Sequence, residues 1–218
     1  MLLDFTNADF RLIIDNVLRI KDMTEQKIKD NFPKVIPLDI AGAELRYLEP
    51  TFENSKMIFD IIIVNREHLL PWMEWATDEK TKTAEDSFRF LNSGKTEREA
   101  GNKFDFGVFF NDVYSGNIGV FDVSEKKKSC EIGYWLVKDA VGKGLISSAV
   151  RALEKEMFQR GINRIQIKCD KGNDASANVA RRCGYVLEGE IREDFFAKLQ
   201  NKFRTTMLFS KLKSEYKA

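Results

Sequence analysis

Apolar residues at Phe10, Ile13, Ile14, Val17 and Leu18 recur at the spacing of one helix face, while Asp15, Asn16 and Arg19 fall elsewhere. The pattern predicts an amphipathic helix and a second short helical stretch through Gln26 and Ile28, both ended by Pro33 and Pro37. A strand is predicted over residues 38–48. Two helices follow, one opened by Pro50 and running through Met57 and Ile63, the other over residues 83–91 with Glu85 and Asp86 at its positive end. Three β-rich runs, 104–110, 118–123 and 129–137, are divided by Asn111-Asp112 and by residues 124–128, which reads as an antiparallel meander. The period returns to that of a helix at Leu145, Ala149, Val150, Leu153 and Met157. A strand at 165–168, a helix at 175–182 and strands at 185–191 and 206–212 complete the order.

Such an order predicts an α/β (α+β) domain over residues 37–218, a mixed, mostly antiparallel central sheet with helices on both faces. Residues 1–36 read as a helical N-terminal appendage that packs on the domain, meets a second copy in a homodimer, or covers the substrate.

Composition narrows the chemistry. A chain of 218 residues, 43% hydrophobic and 32% charged, buries one substantial core beneath a solvated surface. Lys and Arg number 35 against 34 Asp and Glu, so no global field recruits nucleic acid or an anionic membrane, and any anion must be held locally. The basic run Lys126, Lys127, Lys128 reads as a solvated hairpin tip. An odd count of three cysteines, Cys130, Cys169 and Cys183, fits a reducing, cytoplasmic setting. With His68 the single histidine, no metal site is expected. Asp4 and Asp9 stand where a signal peptide would carry positive charge, and no apolar run reaches membrane-spanning length.

The clearest chemical signal is Val141-Gly142-Lys143-Gly144-Leu145, between a strong strand and a strong amphipathic helix. Glycines there admit close backbone approach, and the free amides of a first helical turn favour a phosphate, so a pyrophosphate is the expected ligand. A Walker loop needs a longer glycine-rich span ending in Gly-Lys-Ser/Thr, and a dinucleotide fingerprint needs a third glycine where Ser147 stands.

These residues carry a resemblance. Glu131-Ile132-Gly133-Tyr134-Trp135-Leu136 followed by the glycine turn, then Asn173-Asp174-Ala175-Ser176 and Cys183-Gly184-Tyr185, resemble the GNAT superfamily, specifically its RimJ/RimL-type ribosomal-protein N-terminal acetyltransferases. The segment His68-Leu69-Leu70-Pro71-Trp72, with Trp75, resembles that group's acceptor side, and the likeness spans about residues 37–213. It implies a GNAT fold with splayed central strands and acetyl-CoA as co-substrate. Pantetheine would pair with the exposed edge of the strand ending at Leu136 and Val137, the pyrophosphate would sit on Val141 to Leu145, and Asn173 would bond the pantetheine arm. The chain departs from the group at Val141, where a polar residue is frequent, and around Thr205, where the last hairpin often has aspartate. It also has Ala180 where many GNAT enzymes have the tyrosine that protonates the leaving thiolate.

Ser176 is then the candidate general acid, or simply a helix cap. Glu131 shares a strand face with Gly133 and Trp135, and a carboxylate desolvated there accepts a proton near neutrality; its alternative is a pairing with a nearby lysine or arginine. Trp72 and Trp75 either wall the acceptor cleft or anchor the core. The cysteines are expected to be packing residues. The activity these features imply is direct acetyl transfer from acetyl-CoA to an amine, foremost a protein N-terminal α-amine such as that of a ribosomal protein. The alternatives are a small-molecule amine, such as a polyamine, amino sugar or antibiotic, or a non-catalytic acyl-CoA-binding module.

Overall fold

The meander predicted from alternation is the centre of the sheet. A computed structural model describes Ile28, residues 31–77 and residues 79–217, so the predicted helix through Phe10 and Leu18 lies outside the described residues. The chain divides into Met1–Phe32 and Pro33–Ala218, and the second unit contains the sheet. Its strands are β1 (Val35–Pro37), β2 (Ala43–Arg46), β3 (Phe104–Phe110), β4 (Val113–Ser124), β5 (Ser129–Leu136), β6 (Arg164–Asp170), β7 (Val186–Ala197) and β8 (Lys202–Leu212). They form one sheet in the order β1-β2-β3-β4-β5-β6-β8-β7. Every neighbouring pair is antiparallel except β5 with β6. Between β3 and β4, Asn111 (φ 50°) and Asp112 (φ 63°) both adopt the left-handed conformation that a two-residue hairpin requires.

One expectation needs correction. Of the strand predicted over 38–48 only Ala43–Arg46 is a strand: the chain reverses over residues 38–42, and at Gly42 (φ 74°) a Cβ would meet the Asn111 side-chain oxygen at 2.2 Å. Residues 35 and 36, assigned on sequence to the appendage, pair in the sheet with Arg46 and Leu45. The alternation of Leu38, Ile40, Glu44 and Arg46 with their neighbours conceals this turn, since alternation alone does not mark where a strand folds back.

Four helices complete the described unit: α1 (Phe52–Leu69), α2 (Ala84–Ala100), α3 (Leu145–Gln159) and α4 (Asp174–Arg182). Thr51 caps α1 by accepting from Asn54 N, so Pro50 precedes the cap and does not open the helix. Thr83 and Asp86 form a capping box on α2, and Gly101 (φ 80°) ends it. Leu48, Ile58, Ile62, Leu91, Phe109 and Tyr114 bury α1 and α2 against the sheet, with Trp135 packed on that cluster. The adjacent β5 residue, Tyr134, reaches α4 instead. Neighbours on a strand point to opposite faces, so α1 and α2 cover one face and α4 the other. α3 buries Leu145, Val150, Leu153 and Met157, the stripe its periodicity predicts.

On α3, Glu154 is fully buried and held by Lys211 Nζ of β8 at 2.8 Å. Burial raises the Glu154 pKa, an effect that Lys211 offsets only in part. Lys211→Met leaves a bare buried carboxylate, and urea unfolding at pH 7 is expected to show a loss of about 3–5 kcal/mol. A raised folded-state pKa means that the folded chain holds the proton more tightly than the unfolded one. The variant's deficit should therefore shrink as pH falls towards the ordinary carboxylate value of 4.5, and a deficit that grows on acidification would contradict the assignment.

Candidate active site

Two strands part at the centre of the sheet. β5 and β6 pair in parallel only at Ser129↔Arg164, Cys130↔Ile165 and Glu131↔Gln166. Beyond that point β5 continues on β4 to Leu136, while β6 continues on β8 to Asp170. Val137 N–H donates to Ser115 O at 2.9 Å, so strand alternation turns the N–H and C=O groups of Tyr134 and Leu136 towards the gap. An extended polar ligand can pair with that edge as a further strand would.

The gap leads to the glycine turn. After a 3-10 turn at Lys138–Ala140, Gly142 (φ 82°) and Gly144 (φ 78°) hold left-handed conformations, and Gly144 is the N-cap of the 15-residue helix α3. No side chain caps this end and no acidic residue stands in its first turn, so neither competes with an anion for the helix amides. A Cβ on Gly142 would meet nothing within 4 Å, and one on Gly144 only Ile40 Cδ1 at 3.7 Å, so the turn is open around both. Val141 and Lys143 are exposed, whereas Leu145 is buried and contributes only its amide. Asp39 fixes the helix end from the β1–β2 turn, its N–H donating to Ser148 Oγ at 3.1 Å and its carboxylate accepting from Ser148 and Arg151. A neighbouring concavity of about 550 Å³ has Asp39, Glu44 and Asp112 against Arg46, whose charge Glu44 and Asp112 already pair. Its negative lining makes it unsuitable for phosphates.

On the opposite wall, Asn173 Oδ1 accepts from Ser176 N at 3.0 Å and is the N-cap of α4. Ser176 is therefore inside the first turn and is not the cap. Its hydroxyl lies 3.0 Å from the Tyr134 hydroxyl, whose oxygen is also 3.2 Å from Ser176 O. This contact, between residues 42 positions apart, is a site feature that alternation and spacing missed. Burial pushes the Tyr134 phenol well above its ordinary range, so it remains a hydrogen-bond donor. Ala180 is fully buried.

Glu131 stands where β5 and β6 last pair. Its environment is ionic and polar: Oε2 is 2.8 Å from Lys168 Nζ and accepts from Gln166 Nε2 at 2.9 Å. That corrects the expectation of a carboxylate set among apolar neighbours, because the parallel register brings β6 side chains onto its face. The bond to Glu131 raises the Lys168 pKa, keeping the ammonium charged. Three strand residues, about 10 Å, separate Glu131 from Tyr134, and their side chains leave opposite faces. Glu131 and Ser176 thus flank the gap from different sides.

The two acceptor-side tryptophans have different surroundings. Trp75 packs in the core cluster, its ring centroid 5.7 Å from that of Trp135. Trp72 is 41% exposed, with the Arg204 guanidinium 5.7 Å from its ring. Arg204 also donates to Pro71 O at 2.6 Å and pairs with Asp170 at 3.4 Å, while Lys198 N donates to Glu74 Oε1 at 2.8 Å. The α1–α2 connection is thereby fastened to the β7–β8 hairpin. Cys130, Cys169 and Cys183 are buried free thiols, and burial raises the pKa of each. None has the character of an acyl-accepting nucleophile.

Residues 49–186 match the family profile described as an acetyltransferase (GNAT) domain. The ribosomal-protein-serine acetyltransferase of Escherichia coli (strain K12) is 30% identical over 159 residues, covering 72% of this chain and 88% of that protein. Among solved structures, the RimL ribosomal L7/L12 α-N-protein acetyltransferase with coenzyme A is similar with a TM-score of 0.76. Its identity is 22%, over 84% of this chain and 99% of that one. A microcin C7 self-immunity acetyltransferase, solved with acetyl-CoA and AMP, is similar with a TM-score of 0.73 and 22% identity, over 79% of this chain and 93% of that one.

Proposed function

The chain belongs to the GNAT acetyltransferase family, and from that premise we propose that it moves the acetyl group of acetyl-CoA to the N-terminal α-amine of a protein, of the ribosomal-protein type. The observation that carries the reading is the parting of β5 from β6 beyond Glu131↔Gln166, which runs from a free strand edge to the glycine turn. Pantetheine pairs with the Tyr134 and Leu136 edge, the Asn173 amide bonds it from α4, and the pyrophosphate sits on the amides of residues 142–146. The thioester then lies between the Glu131 face and Ser176.

The amine attacks the thioester carbonyl directly. Nitrogen bonds to the acetyl carbon, the C–S bond breaks, and its electron pair leaves on sulfur. Glu131 takes the amine proton through water, with Lys168 orienting the carboxylate, and Ser176 donates a hydrogen bond to the departing thiolate. An α-amine, with a reference pKa of about 7.7–8.0 against about 10.4 for lysine, needs less help to lose its proton. The Escherichia coli relative, named for a ribosomal-protein serine, supports the same class. Balanced charge gives a polycation no global field to follow.

Matched concentrations of peptides with free N-termini, polyamines and aminoglycosides test the acceptor. Peptides are expected to turn over at least about tenfold faster, a difference of about 1.4 kcal/mol in transition-state binding. Fast turnover confined to polyamines or aminoglycosides would overturn the reading.

A further inference from the structure

The gap has two walls, β5 and α4, and one side chain joins them. Tyr134 leaves β5 on the α4 side and brings its hydroxyl to 3.0 Å from Ser176 Oγ and 3.2 Å from Ser176 O. A phenol has one proton and so can fully satisfy only one of these acceptors. If it donates to the carbonyl, the Ser176 hydroxyl can donate back to Tyr134 and is turned away from the gap. If it donates to Ser176 Oγ, the serine proton is left for the gap or for the buried Cys169 thiol, which also lies within reach of that hydroxyl. In the first turn of a helix a serine hydroxyl otherwise competes for nearby main-chain groups, so an external donor decides its direction.

We infer that Tyr134 is a positioning residue for coenzyme sulfur: it donates to Ser176 Oγ and aims the serine proton at the sulfur as negative charge develops there. The inference rests on the placement of the thioester beside Ser176 proposed above. The phenol keeps its proton throughout, since its buried setting disfavours the phenolate. When the C–S bond breaks, the electron pair on sulfur is met by the Ser176 O–H, whose donor strength rises because its own oxygen accepts from Tyr134. The released thiolate takes its proton from solvent. Neither Tyr134 nor Ser176 changes its number of protons.

Calorimetry of the full chain with coenzyme A and with desulfo-coenzyme A, combined with kcat, tests this for Tyr134→Phe, Ser176→Ala and the double variant. Tyr134→Phe is expected to weaken coenzyme A binding and lower kcat by roughly three- to tenfold, the net effect of one hydrogen bond. Binding of desulfo-coenzyme A should be unchanged. In the Ser176→Ala background, Tyr134→Phe should add nothing further. Equal weakening of both ligands would overturn the proposal, because a tyrosine that only braces the walls does not distinguish sulfur from its absence. Additive effects in the double variant would overturn it as well. If Ser176→Ala alone leaves kcat and the preference for coenzyme A over its desulfo form at wild type, the placement of sulfur at Ser176 has failed, and the inference falls with it.

Discussion

Glu131→Gln is expected to lower kcat by about 10²–10⁴-fold, the range over which a positioned general base contributes, while leaving acetyl-CoA affinity unchanged. The amide keeps the shape of the side chain and an oxygen that can accept from β6, but it loses the ion pair with Lys168 and cannot accept the amine proton. Because Oε2 is engaged by Lys168 and Gln166, a purely structural carboxylate would give a different result. Glu131→Gln and Lys168→Met would then break the same pair and produce similar, modest losses. A base predicts asymmetry, with Lys168→Met, which leaves the carboxylate in place, far milder than Glu131→Gln. Raising the pH should partly rescue Glu131→Gln, since bulk base deprotonates the amine. Steady-state kinetics with saturating acetyl-CoA over a pH series decides the matter. Near-wild-type turnover by Glu131→Gln at neutral pH, with chemistry shown to be rate-limiting, would remove the base assignment.

The second large effect is expected at Gly144. Its φ of 78° costs a β-branched residue about 1–2 kcal/mol, which the turn can relieve only by leaving the left-handed region and misaligning the amides of Leu145 and Ile146. Binding must then repay that strain, so Gly144→Val should weaken acetyl-CoA by roughly tenfold or more, at 1.4 kcal/mol per factor of ten. Gly144→Asn, which tolerates the conformation better, should lose much less. The open space around the position, with only Ile40 Cδ1 near, means that the fold should survive either change. Calorimetry with acetyl-CoA reads the difference; equal affinity in wild type and a folded Gly144→Val variant would show that the turn does not hold the pyrophosphate.

Local signals in the chain were enough for the meander, the glycine turn and the α3 stripe, because each depends on short-range rules: strand alternation, backbone freedom and helical period. Residues whose role depends on non-local register could not be read that way. Trp72 and Trp75, three positions apart, look equivalent in sequence. Tertiary packing separates them: Trp75 meets Trp135 and the core cluster, while Trp72 stays exposed beside Arg204 of the β7–β8 hairpin. Glu131 is similar: strand alternation assigns its face, but the parallel register with β6 supplies Lys168. Ser176 could be read as a cap until Asn173 was seen to take that place, freeing the hydroxyl for Tyr134.

The central claim is that acetyl-CoA occupies the gap between β5 and β6, and amide hydrogen exchange of the full chain with and without coenzyme A tests it most directly. A ligand pairing with the Tyr134 and Leu136 edge and seated on the α3 amides should slow exchange in peptides covering residues 132–137 and 141–148. It should leave the exposed strand β7 unchanged. Saturated coenzyme A with no slowing over residues 132–137 would contradict the account.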